Sequence, residues 1–214
     1  MIWNIEFKGK LKGSIDQIST GKELPEGSVQ FKEPEKVEKA MLQGFLYTIP
    51  GVFLMLLLAI FRIVTTYAKP EEMNGGQYLK TFIPALVVSM IAAYPAMYVH
   101  EFIHAFLFPK NLKKQIYVHP ESMTLFVYCE EMISKARFIV VSLGPAVVLG
   151  ILPFLIGVIF APVIPAQIMV ATMFFAVISY MGAMGDLVNA FNCIRQVPRD
   201  GKVFNRGYHS YWMR

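Results

Sequence analysis

The chain has 214 residues, 55% of them hydrophobic and only 16% charged, and its mean hydropathy is +0.48. A soluble domain carries roughly a quarter charged residues, so an ordinary soluble domain is excluded, and 14% aromatic residues with two cysteines exclude disorder and a disulfide scaffold. The net charge of +5 reads as a signal for orientation in a bilayer rather than for nucleic acid, because no basic cluster alternates with aromatics on a polar domain.

The N-terminal stretch Ile2 to Leu11 reads as a short strand or hairpin. No apolar core of signal-peptide length follows Met1, so the first hydrophobic block is expected to stay as a span. Residues Gly13 to Val29 read as a loop, and Pro34 is expected in the first turn of a helix that turns apolar near Met41. Four blocks then have the roughly 20 residues needed to cross a hydrocarbon core: Leu42 to Tyr67, Leu79 to Phe108, Phe138 to Pro162 and Ala166 to Ile194. Pro84, Pro95, Gly144-Pro145, Pro153, Gly182 and Gly185 lie inside them and predict kinks or broken helices. After the second block, Gln115 to Val118 and Met123 to Cys129 form an expected β-hairpin. Such a hairpin either merely connects two helices or offers an edge strand to an extended substrate.

The fold expected is thus an all-α polytopic membrane protein of about four transmembrane helices. A short N-terminal β segment and a cytoplasmic β-hairpin complete it. Residues 1–40 form a cytoplasmic segment, 41–195 the transmembrane core and 196–214 a cytoplasmic tail. Seventeen of the twenty Lys and Arg residues fall in the N-terminal segment, the loop from Lys110 to Arg137 and the C-terminal tail. The positive-inside rule therefore puts both termini in the cytoplasm.

Chemistry concentrates where the second block ends, in His100-Glu101-Phe102-Ile103-His104. Histidines four apart share one helix face, so two imidazoles can converge on one Zn²⁺, and the glutamate beside them can take a proton from water. The other reading is a pair of core histidines with Glu101 as their partner in a helix contact. Three ionisable groups in an apolar run favour the metal, since each is costly there. Catalytic zinc has three protein ligands and an open position. Asp186, the acidic residue inside the last two blocks, is the first candidate for the third ligand, with helix capping as its structural alternative and His119 and Glu121 as further candidates. Asn189, three residues beyond Asp186, is a possible substrate or oxyanion contact, or simply a bond to a neighbouring helix. With four histidines in all, the chain has too few for a membrane di-iron oxygenase. Cys129 and Cys193 lack CxxC spacing and read as free thiols.

HEFIH at His100 to His104, the run Cys129 to Lys135 leading into Ser142-Leu143-Gly144-Pro145, and Gly185-Asp186-Leu187 together resemble the site-2-protease-like intramembrane zinc metalloproteases. They resemble more closely the small bacterial zincin peptidases related to them. The resemblance covers roughly residues 30 to 195. It implies His100, His104 and Asp186 as zinc ligands and Glu101 as general base, although the aspartate here lacks the Asn/Leu-Asp-Gly setting of site-2 proteases. It implies a multi-pass protein of a bacterial plasma membrane that hydrolyses membrane-embedded or membrane-adjacent proteins or peptides. The rival readings are a non-catalytic zinc-binding membrane protein, whether pseudoprotease or assembly factor, and a zinc hydrolase acting on lipid. The sequence leaves the oligomeric state open.

Overall fold

Each apolar block winds into helix, as a backbone shielded from water must satisfy its polar groups within its own segment. The computed structural model describes residues 4–11, 23–34, 37–67, 75–118, 125–207 and 209–214. Of the structure, 64% is helical. The first two blocks form α1 (Val37–Tyr67) and α2 (Gly75–Leu107). The third is one continuous rod with three parts: α3 (Lys135–Pro145), a π-wound stretch (Ala146–Ile151) and α4 (Leu152–Phe160). The fourth is broken: α5 (Ala166–Gly182) and α6 (Met184–Gln196) meet at 54°. Two glycines in Gly182-Ala183-Met184-Gly185 weaken the helix there, and Ala183 leaves helical geometry at φ −88°, ψ 17°. Three of these helical segments are long and apolar enough to cross a membrane, or four if the bent pair counts as one span.

Strands gather where α2 ends, α3 begins and α6 ends. One sheet has the order β1 (Ile5–Lys10), β3 (Lys114–Val118), β4 (Leu125–Tyr128), with β1 parallel and β4 antiparallel to β3. The expected N-terminal strand and the hairpin after α2 are therefore both present, and β4 is an edge. The second sheet runs β2 (Val29–Gln30), β7 (His209–Met213), β6 (Lys202–Arg206), β5 (Ile133–Ser134). Sequence patterning does not anticipate it. Pro34 also departs from expectation, since α1 begins at Val37 and residues 31–34 are non-helical. Side-chain and sheet partners claim the backbone there. The Phe31 N–H donates to the Ser210 carbonyl at 2.9 Å, and the Gln196 amide brackets Lys32, accepting from its N–H at 2.7 Å and donating to its carbonyl at 3.2 Å.

Two apolar clusters lie along α2, one near Ala85 in its first half and one just beyond its end, at Phe108. Met55, Phe154, Met169 and Met173 pack among α1, α4 and α5, whereas Phe31, Phe108, Phe138, Val141 and Cys193 fill the space beneath the second sheet. Large side chains such as Phe53, Phe61, Ile83 and Ile91 remain exposed on the outer faces, as expected of helices whose outer solvent is lipid. Lys114, fully buried, holds the turn after α2 by donating from Nζ to the carbonyls of Pro109 at 2.9 Å and Lys110 at 3.3 Å. Burial holds its pKa below the usual lysine range.

Candidate metal centre

One helical turn separates His100 from His104 on α2, and their rings meet edge to face with Nε2 atoms 3.1 Å apart. The break at Ala183 swings the start of α6 toward them, so that Asp186 falls in its first turn. No side chain caps that helix. The Asp186 carboxylate instead turns to the histidines, with Oδ2 3.0 Å from His100 Nε2 and Oδ1 3.2 Å from His104 Nε2. A tetrahedral site with Zn–N bonds of 2.0–2.1 Å has ligand-to-ligand edges of about 3.3 Å, close to all three separations.

The donor chemistry fits a cation as well. His104 Nδ1 lies 2.9 Å from the Val141 carbonyl of α3. A neutral imidazole that donates there presents a lone pair at Nε2, aimed at a carboxylate and a second imidazole. That carbonyl is available for a reason written in the sequence: the helical partner of Val141 would be the N–H of residue 145, which is proline. Gly144 contributes the approach, because a Cβ there would run into Leu107 of α2. The Gly144-Pro145 pair, read from sequence only as a kink, thus positions a histidine.

Glu101 stands beside the histidines without joining the closest triad. Its Oε1 lies 4.0 Å from His100 Nε2, and its Oε2 accepts from the Val127 N–H of β4 at 3.0 Å. One oxygen is thereby tethered to the edge strand. His100, Glu101 and His104 bring potential ligand atoms within 4.8 Å of one another. Distance favours Asp186 over Glu101 as the group that completes a ligand set with the two imidazoles. Asn189 lines the same cavity as Asp186. The other candidate ligands, His119 and Glu121, lie outside the described residues.

Two cavities meet at this centre. One, of about 520 Å³, is lined partly by polar groups including Glu33, Asn189 and Asn205, and the other, of about 450 Å³, runs between α2 and α5. His100, Glu101 and Gly182 line both. In the lining of the first, Glu33 pairs with His209 Nδ1 at 2.8 Å. Sequence reasoning missed Val127, Val141 and Pro145 because each acts through the backbone. Only proline, by its missing N–H, left a signal.

No curated protein and no solved structure matches the chain. A family model described as Putative zincin peptidase matches residues 93–200, from the turn of α2 before His100 to the loop after α6. That match takes in the two histidines, Glu101, Val141, Pro145 and Asp186 over half of the sequence, and the chain belongs to the family Putative zincin peptidase.

Proposed function

We propose that the protein is a zinc-dependent intramembrane metallopeptidase. The observation that carries this reading is the convergence of His100, His104 and Asp186 at separations of 3.0 to 3.2 Å, with Glu101 tethered alongside. His100 Nε2, His104 Nε2 and the Asp186 carboxylate are the groups that would hold the metal. Zn²⁺ bound there would polarise a peptide carbonyl and make a water easier to deprotonate. Glu101 is the general base. Its Oε1 takes a proton from the attacking water as the water oxygen bonds to the carbonyl carbon, then delivers that proton to the leaving nitrogen as the C–N bond breaks. The Val127 N–H keeps the carboxylate aimed while this happens. Asn189, in the same cavity, is a candidate donor to the developing oxyanion.

The substrate is a membrane-embedded or membrane-adjacent peptide held in extended form. Edge strand β4 supports this, since a helical peptide bond is shielded by its own hydrogen bonds whereas an edge supplies replacements. The distribution of Lys and Arg supports a plasma-membrane protein whose sheets and termini face the cytoplasm, where water reaches the first cavity.

The test uses the full chain reconstituted in liposomes with a library of single-span peptides, new termini being read by mass spectrometry. Wild type should create termini that a chelator abolishes, and Glu101→Gln should retain zinc without cleaving. Persistent cleavage by zinc-loaded Glu101→Gln would remove Glu101 as base. Release of fatty acid in place of peptide termini would assign the centre to lipid hydrolysis.

A further inference from the structure

The cavity between α2 and α5 has no role in metal binding or proton transfer, yet it reaches two residues on which that chemistry depends. Ala93, Ala96 and Met97 of α2 form one wall, Ile178 and Gly182 of α5 another, and Leu149 of the π-wound stretch also lines it, while the exposed Met90 and Tyr94 mark its open side. His100 and Glu101 line it as well. It is a mostly apolar groove that borders the proposed site of hydrolysis.

Its wall holds one hydroxyl that behaves unlike its neighbours. Thr48, Thr65, Ser89 and Thr172, all within the helices, each donate to a carbonyl three or four residues back on the same helix, the usual way to satisfy a hydroxyl in an apolar setting. Ser179 lines this cavity, but its Oγ is turned away from open space and has no hydrogen-bond partner among the described residues. A buried hydroxyl without a hydrogen bond is costly, and a turn about the Cα–Cβ bond of Ser179 would bring it to a ligand in the cavity and remove that cost.

Strand β4 supplies direction. Leu125 and Val127 lie on the same face, two residues apart, and Leu125 borders the apolar cavity while Val127 borders the polar one. Glu101 accepts from Val127 between them. An extended chain laid along β4 therefore passes from the polar cavity to the apolar one beside the general base. We infer that the apolar cavity is a specificity subsite: it receives a leucine- or phenylalanine-sized side chain from the residue flanking the scissile bond, while Ser179 donates to that residue's carbonyl. This rests on the metallopeptidase reading.

Acetylated hydroxamates of glycine, alanine, leucine and phenylalanine test the subsite without a known substrate, because the hydroxamate seeks the metal and the side chain seeks the cavity. Affinities are measured by calorimetry on the zinc-loaded full chain in detergent, with zinc content checked for every variant. The leucine and phenylalanine compounds should bind at least about tenfold tighter than the glycine compound, given the apolar area each buries. Ala96→Leu, which fills the groove, should cut that preference below about threefold, and Leu149→Ala, which widens it, should favour phenylalanine further. Ser179→Ala should weaken all four compounds by about threefold to tenfold. Equal affinities across the series with zinc in place would overturn the subsite alone and leave the groove to lipid. A protein that holds no zinc and binds no hydroxamate would overturn the metallopeptidase reading, and the subsite with it.

Discussion

His104 Nδ1 and the Val141 carbonyl oxygen lie 2.9 Å apart, across the contact between α2 and α3. The bond exists because Pro145 has no N–H to offer Val141 and because Gly144 lets the helices touch. It fixes which nitrogen of His104 faces the cluster.

Pro145→Ala restores a competing N–H and loosens that tautomer. Zinc affinity, measured by competition with a chromophoric chelator, should fall about tenfold to a hundredfold, the usual effect of losing a partner that orients a metal ligand. Unchanged affinity would mean that the proline serves only the helix path.

Gly144→Val should destabilise the folded protein by about 1–3 kcal/mol, because the new side chain meets Leu107 and Ile103 of α2. Thermal unfolding in detergent measures this. Zinc content should fall with it, since the same contact carries Val141 to His104.

Val127→Pro removes the N–H from which Glu101 accepts, on an edge strand where proline is tolerated. The expected result is a fall of about tenfold or more in kcat with zinc content maintained. That split separates an untethered base from a lost metal.

Cys129 sits outside the helices and its thiol is pushed by burial from 9.0 to about 11. The folded state therefore prefers the neutral thiol. The stability this contributes is complete below pH 9 and is lost as pH rises toward about 11. Chemical denaturation across that window should show wild type losing stability more steeply than Cys129→Ala, and alkylation at pH 8 should label Cys129 only after unfolding.

If the basic residues set orientation, alkaline phosphatase fused after Arg214 should be inactive in a bacterial host. The same enzyme fused within residues 68–74 should be active. The reverse pattern would invert the proposed topology.

What the sequence makes legible follows from the range over which each signal acts. The helices were readable because length and apolarity are local, and His100, Glu101 and His104 because one turn of helix brings them together. Asp186 was readable as a costly group in an apolar run, and the break that aims it was marked by Gly182 and Gly185. The second sheet was not readable: β2 has two residues, and its partner β7 lies in a tail with ordinary polar composition. The extended path at Pro34 was hidden for the same reason, as it depends on Gln196 and Ser210 more than 160 residues away.

The pairing of β2 with β7 joins Val29 to Trp212 and Gln30 to Tyr211, a loop of about 180 residues, and distant pairings of that kind form slowly. Glu33, in the lining of the polar cavity, meets His209 of β7 once this strand pair has closed. Because β7 follows them in the chain, His100, Glu101, His104 and Asp186 are synthesised before the strand pair beside their cavity can close. Maturation of the centre has an order in time, with the cluster of histidines and Asp186 assembled first and the Glu33 side of its cavity shaped last.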